Sequence, residues 1–214
     1  MSERGHRIVA IDGPAGSGKT TLARRLADHF DLAFLDTGLL YRAAARKLLE
    51  AGLSFDDVAA AHTAAATVTS DDLNPARLHD PAISQGASRV AVIPEVRRAL
   101  LDLQRRFGEA GPGAVLVGRD IGTVVRPDAS HKIFVTATLE ERARRRCKEL
   151  QALGTPTIYE RVLDELCQRD ARDRTRAVAP LVPANDAFLI DTTERDSDMA
   201  FAIARDFVAG SGCD

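Results

Sequence analysis

Two hydrophobic patterns alternate along this chain: short unbroken runs of β-type residues, and longer stretches with apolar side chains three or four positions apart. Arg7-Ile8-Val9-Ala10-Ile11-Asp12 is a run of the first kind and predicts a buried strand. The runs Ala33-Phe34-Leu35-Asp36, Ala114-Val115-Leu116-Val117, Lys132-Ile133-Phe134-Val135-Thr136 and Phe188-Leu189-Ile190-Asp191 predict four more. Between them lie helical stretches. Leu22, Leu26 and Phe30 share one face of a helix over 18–30, a second helix runs from Gly38 to about Ala51, and a last one from about Asp196 to Val208. Strands alternating with helices predict an α/β domain with a five-stranded parallel sheet between two helical layers.

Two stretches break the alternation. Residues 51–94 carry scattered turn signals, Asn74-Pro75 and Asp80-Pro81 among them, and predict a small insertion. Residues 140–176 predict two basic helices broken near Gly154-Thr155-Pro156. The expected organisation is one domain, with core segments at about 1–50, 95–139 and 177–214, the insertion at about 51–94 and an arginine-rich segment at about 140–176.

Composition narrows the class. With 214 residues and 45% hydrophobic content the chain can bury a real core, which excludes disorder, a collagen-like repeat and a disulfide mini-scaffold. No apolar run approaches the ~20 residues of a membrane helix. The start, Met1 to Arg7, has no cleavage pattern and is not read as a signal peptide. Charge is balanced at −2, and the absence of Trp with only two Tyr disfavours a nucleic-acid stacking surface. Cys147, Cys167 and Cys213 are far apart, which fits a reducing cytoplasm, and the five histidines have no metal-like spacing. Arginine supplies 25 of the 29 basic residues, nine of them between Arg142 and Arg176.

The strongest local signal is Gly13-Pro14-Ala15-Gly16-Ser17-Gly18-Lys19-Thr20, which fits G-x-x-x-x-G-K-S/T. Its glycines let successive backbone N–H groups curl round a phosphate, and the following helix turns its positive end toward the anion. Lys19 is placed to reach the β- and γ-phosphates, and the Thr20 hydroxyl to ligate Mg²⁺. The motif lies between a predicted strand and a predicted helix, where its mechanics require it. No guanine-reading Asn-Lys-x-Asp is present, and the chain is too short for a motor or transport ATPase. A small phosphotransferase remains, and that class needs an acceptor site.

Candidates for that site sit at strand ends. Thr37 follows the second strand and Arg42 lies five residues on, where a solvated helix arginine is the plainer reading. Gly118-Arg119-Asp120 ends the third strand, with a structural salt bridge of Arg119 as the alternative. Arg169, Asp173 and Arg176 would share one helix face with Arg172 beside them, which also describes a self-paired, solvated charge run. The choice of arginine over lysine favours bidentate contacts to phosphate.

Taken together these residues resemble one family, the bacterial cytidylate kinases. The resemblance covers nearly the whole chain. It rests on Ile11-Asp12-Gly13-Pro14, Thr37-Gly38 with Tyr41-Arg42-Ala43, and Gly118-Arg119-Asp120-Ile121-Gly122-Thr123-Val124-Val125. It continues through Pro127-Asp128-Ala129, Arg169-Asp170, Asp173-Arg174, Ala177-Val178-Ala179-Pro180-Leu181, Asp186-Ala187 and Ile190-Asp191-Thr192.

The resemblance implies a three-layer P-loop kinase core with a monophosphate-binding insertion and a helical lid, and transfer of phosphate from ATP to CMP or dCMP with Mg²⁺. It assigns ATP to Gly13, Pro14, Ala15, Gly16, Ser17, Gly18, Lys19, Thr20 and Thr21. Phosphate and sugar of the acceptor go to Thr37, Arg42, Arg119, Arg169, Asp173 and Arg176, and cytosine to Ser88, Arg97 and Asp120. Lys19, Arg146 in the lid and Asp120 are the expected catalytic residues, and Thr20 the metal ligand. The chain departs from the family at 65–83, where a β-rich insertion is shortened and Leu78-His79-Asp80 replaces the usual Ile-Arg-Thr. A monomer acting on free nucleotides is expected, without nucleic acid or membrane. The rival readings are a kinase for UMP or AMP, and a nucleotide-binding regulator without turnover.

Overall fold

A computed structural model describes residues 6–78, 80–109 and 111–210. Met1 to Gly5, His79 and Cys213, which entered the sequence reading, lie outside the described residues. The described parts of 1–35, 108–175 and 179–214 form one compact unit, and 36–107 with 176–178 form another.

The first unit is built on a five-stranded sheet with strands β1 (Arg7–Asp12), β2 (Ala33–Asp36), β3 (Gly113–Gly118), β4 (His131–Thr136) and β5 (Phe188–Asp191). Their order is β2-β3-β1-β4-β5. β1 runs parallel to β3, with Asp12 opposite Gly118, and parallel to β4, with Asp12 opposite Phe134. Every residue of β3 is buried, as a strand covered on both faces should be. Helix α1 (Lys19–Phe30) packs on β3 and on α8 (Ser197–Gly210). Leu22 and Leu26 of α1 enter one core with Val9, Ile11, Val115, Val117, Ile133 and Ile190, and Ala204 and Val208 close it from α8.

The five predicted strands and their parallel sheet are those observed. Helix ends differ from the sequence reading by a residue or two, and local capping explains where they fall. α1 starts after Gly18, which takes φ 83°, and stops at Asp31, whose N–H bonds Ala27 O with φ 55°. The basic stretch forms α6 (Leu139–Ala152) and α7 (Tyr159–Thr175), packed together through Ala143, Cys147, Leu150, Val162 and Leu166. They part at the Gly154 region, as the turn signal predicts.

The second unit is helical. It contains α2 (Thr37–Glu50), α3 (Val58–Ala66), α4 (Pro81–Val90) and α5 (Pro94–Arg106), with short 3₁₀ turns at Ser70–Leu73 and Pro75–Arg77. No strand occurs among the described residues of 51–94. α2 packs on α3 and α4, and α3 on α5. Ala43, Ala44, Ala45, Ala61, Ala64, Ala65 and Ala87 lie in its core, where small side chains let the helices approach closely. Asp36 starts α2 by accepting from Gly38 N at 2.9 Å, and Asp80 starts α4 by accepting from Ala82 N at 2.7 Å ahead of Pro81.

Candidate active site

The parallel register places the chain after Asp12 and the chain after Gly118 side by side at the carboxyl ends of neighbouring strands. This is where open α/β sheets bind ligands. The first of these segments is the glycine-rich loop. Gly13 has φ 151°, and a Cβ there would lie 2.0 Å from Val135 O, so only glycine fits against β4. The buried Lys19 side chain turns back over the loop, its Nζ donating to Pro14 O at 2.9 Å. The ammonium is thereby held against the loop, close to the positive end of α1. Ser17 Oγ is buried and has no hydrogen-bond partner among the described residues. A buried hydroxyl left in that state inside a phosphate loop fits an anionic oxygen as its partner.

Beside the loop lies a pocket of about 530 Å³, lined by Ser17, Gly18, Thr21, Leu22, Arg145 and residues 192–197 among others. Its wall is cross-braced. The Thr192 hydroxyl lies 3.0 Å from Ser17 O and 3.1 Å from Thr136 O, and it accepts from Arg145 Nη1 at 3.0 Å. Arg145 Nε in turn donates to Glu141 at 3.0 Å. Burial works against the Glu141 charge, but hydrogen bonds from Arg144 and Arg145 outweigh it and hold the carboxyl below its ordinary range. A pocket of this size, apolar at Leu22 and Val135 and polar at its rim, suits the nucleoside part of a ligand whose phosphates lie in the loop. The motif could not disclose Arg145 or Thr192, because neither belongs to the loop. Only the fold brings positions 17, 145 and 192 together.

The second segment is Arg119-Asp120. Asp12 organises it from below, its two carboxylate oxygens accepting from Ile121 N and Gly122 N, each at 2.8 Å. The following residues Ile121–Val125 form a π-helical turn, and the Asp120 carbonyl accepts from Val124 N and Val125 N. Asp120 itself is buried. Arg119 Nε donates to Asp173 Oδ2 at 3.0 Å, so the salt bridge named as the structural alternative is present. Asp173 and the half-buried Arg169 both stand on α7. The Arg119 and Asp173 side chains are 17% and 7% exposed, which removes them from the class of solvated charge runs.

One expectation about the basic stretch needs correction. Arg176 does not continue the helix face of Arg169 and Asp173, because α7 ends at Thr175. The Asp173 carbonyl, which a continuing helix would give to Ala177 N, accepts instead from Leu181 N at 2.7 Å, and Ala179 takes φ 53°. Arg176 belongs to the second unit, where it is buried. The lid arginines also differ among themselves. Arg146 pairs with Glu149 of its own helix at 3.0 Å, whereas Arg145 lines the pocket beside the loop.

In the second unit Thr37 opens α2 and is buried, and Arg42 lies half-buried one turn on. Ser88 of α4 and Arg97 of α5 are buried too. Arg97 donates to Ala91 O at 3.3 Å and places its guanidinium 5.8 Å from the Tyr41 ring centroid. Ser84, one turn before Ser88, has a buried Oγ with no partner among the described residues. Sequence reasoning passed over Ser84, whose only signal is its i, i+4 spacing to Ser88.

Comparison with known proteins agrees with this geometry. The sequence model of the cytidylate kinase family matches residues 9–201. A cytidylate kinase of Paramagnetospirillum magneticum is 56% identical, covering 92% of this chain and 95% of its own. Those of Methylocella silvestris and Brucella suis are 55% and 52% identical, covering 92% and 94% of this chain and 91% and 92% of their own. Among solved structures, an uncharacterized protein from Eubacterium ventriosum shares the fold with a TM-score of 0.57 at 15% identity, covering 95% of this chain and 99% of its own. A sugar kinase from Janibacter does so at 0.51 and 15%, covering 95% of each chain.

Asp12 yields a prediction. Burial pushes its carboxyl from an ordinary 3.8 up to about 6, although the Gly122 and Ile121 N–H groups pull it down. The folded chain therefore binds this proton more tightly than the unfolded chain. The associated stability is complete below pH ~4 and is lost as pH rises through about 6. Urea unfolding of the wild type and Asp12→Asn should show the wild type losing ground to the variant from pH 4 to 7, by on the order of 3 kcal/mol. A constant gap, or one that widens in favour of the wild type, would contradict the assignment.

Proposed function

The chain belongs to the cytidylate kinase family, and we propose that it transfers the γ-phosphoryl group of ATP to CMP or dCMP, giving CDP or dCDP. One observation carries the reading: a complete phosphate loop, with its lysine buried over it, lies on the strand next to the one that ends in Arg119-Asp120. A regulator that only held a nucleotide would have little use for so many buried cations. The rival acceptors UMP and AMP are disfavoured by relatives that are cytidylate kinases at more than half identity.

In this reading the loop from Gly13 to Thr21 takes the triphosphate and the pocket walled by Arg145 and Thr192 takes the nucleoside. Lys19 leaves Pro14 O for the β- and γ-phosphates, exchanging a neutral acceptor for an anion. Arg119, Arg169 and Asp173 in the first unit, and Thr37, Arg42 and Arg176 in the second, are assigned to phosphate and sugar of the acceptor. Asp120, Ser88 and Arg97 are assigned to the cytosine edge. The attacking atom is an already ionised phosphate oxygen, so no general base is required. The obstacle is repulsion between two anions, and the chain's answer is a set of fixed cations that need no reorganisation at the moment of transfer.

Thr20 would hold Mg²⁺ at the phosphate loop, where the ion would supply neutralisation of phosphate charge. The donor set fits that ion. Among the described residues no cluster of three His, Cys, Asp or Glu could hold a metal by itself. Mg²⁺ bound chiefly through phosphates and water needs only one or two protein ligands, and Thr20 in the first turn of α1 offers a hydroxyl. Arg146 is assigned to phosphate charge once it leaves Glu149. Among the described residues no helix is long and apolar enough to cross a membrane. Free nucleotides and a monomer acting in the cytoplasm complete the proposal.

The test is ADP production by the purified chain with ATP and Mg²⁺ against CMP, dCMP, UMP and AMP. Turnover with CMP and dCMP should exceed the others well beyond tenfold, and equal turnover with UMP would remove the cytosine assignment. Lys19→Ala should lower turnover at least ~10²-fold, since it deletes a cation that acts on the transferring group. A loss of tenfold or less would sink that role. Asp120→Ala should narrow the preference for CMP over UMP, and unchanged relative kcat/KM values would take Asp120 out of base recognition.

A further inference from the structure

Arg142 opens α6 with its side chain only 4% exposed, which makes it the most deeply buried arginine of the lid pair of helices. A guanidinium in that position must satisfy five donors in a fixed plane or carry a large desolvation cost. Its three partners come from three different segments. Nε donates to Ala137 O, just after β4, at 3.0 Å. Nη1 donates to Ala15 O, in the phosphate loop, at 3.3 Å. Nη2 pairs with Asp170 Oδ2, on α7, at 2.7 Å. Close packing reinforces the loop contact: a Cβ added at Gly16 would lie 3.1 Å from both Cβ and the carbonyl O of Arg142. The loop therefore rests directly on the first turn of α6.

Asp170 connects this contact to the acceptor side of the first unit. It is flanked by Arg169 and followed one turn on by Asp173, which holds Arg119 at 3.0 Å. Its Oδ1 is buried and has no hydrogen-bond partner among the described residues. An unsatisfied carboxylate oxygen of this kind marks a place where a second arrangement of the helix can gain a bond. A lysine could neutralise Asp170, but its single nitrogen cannot stand at once where Nε, Nη1 and Nη2 of Arg142 meet their separate acceptors.

We infer that Arg142 is a positioning residue that couples occupancy of the phosphate loop to the placement of Arg169 and Asp173 on α7. Closing of the loop on a phosphate rotates the Ala15–Gly16 peptide, and the guanidinium that holds the Ala15 carbonyl passes that rotation to Asp170. Donor and acceptor then favour each other's binding through a shared strut, by a reciprocal free energy. The inference rests on the phosphotransfer reading above.

Calorimetric titration of CMP into the full chain, with and without the β,γ-imido analogue of ATP and Mg²⁺, tests it. In the wild type the analogue should tighten CMP binding by ~10-fold or more. The paired replacement R142M with D170L removes both buried charges together, which cores tolerate far better than loss of one. It should bind CMP alone within ~3-fold of the wild type, and the enhancement by the analogue should fall to ~2-fold or less. R142K keeps the charge without the fork and should lose the enhancement as well, which a purely structural cation would not. Full enhancement in R142K, or in the paired variant, would overturn the inference. So would its absence from a wild type that still turns over CMP, an outcome that leaves the proposed reaction standing. A wild type with no CMP-dependent turnover would overturn the reading underneath, and the inference with it.

Discussion

Two hydrogen bonds to one buried carboxylate organise this fold's working end. Asp12 terminates β1, and its oxygens take the N–H groups of Ile121 and Gly122, which follow β3. Because β1 and β3 are parallel and in register at Asp12 and Gly118, both strands deliver their exits to the same place. The chain beyond β1 becomes the phosphate loop, and the chain beyond β3 becomes Arg119-Asp120. Tying those exits through an acidic group is costly, since burial raises its pKa to about 6 against the pull of two N–H donors. A neutral side chain would be cheaper to bury but could not accept two N–H bonds through symmetric oxygens. The cost fixes the spacing between a donor loop and a turn that carries charge.

The same logic governs the arginines. Counted along the sequence they are one basic tract, yet the fold sorts them by burial. Arg144 is exposed and pairs within its own helix, a contact worth little in water. Arg145 is half-buried and ties Glu141 to Thr192 at the mouth of a pocket. Arg142 and Asp170 are buried together, where breaking the pair would strand a charge in the protein interior. Three neighbours in sequence thus differ by the dielectric around them, and that difference assigns them to surface, wall and strut.

How much of this was legible depends on how far apart in sequence the partners lie. The loop from Gly13 to Thr20 was readable because its chemistry is contiguous: glycines, lysine and hydroxyl occupy adjacent positions. The five strands were readable because buried parallel strands are continuous apolar runs. The bracing of Thr192 by Arg145 joins positions 47 apart, and Arg142 reaches Ala15 across 127, so no local pattern encodes either. The helix-face reading of Arg169, Asp173 and Arg176 failed at its last member for a comparable reason. Leu181 N, eight residues beyond Asp173, takes the carbonyl that would have extended the helix. Residues 51–94 read as irregular because alanine-rich helices lack the contrast of large apolar and polar residues that marks an amphipathic face.

Among the described residues no histidine lines the pocket beside the phosphate loop. His131 is the one buried histidine among the described residues, and burial lowers its pKa, with the Arg7 charge acting in the same direction. It stands at the first residue of β4, whereas the phosphate loop and Arg119 follow the last residues of their strands, and in a parallel sheet these ends lie a strand's length apart. Its ring lies edge-on to Phe207, in the packing of α8. A phosphate acceptor makes such a base unnecessary, because the nucleophilic oxygen is ionised before it arrives. What it requires is that two anions be held close together without water to screen them. The Arg119 guanidinium, fixed by Asp173, is oriented before any ligand binds and so has no reorganisation to pay for.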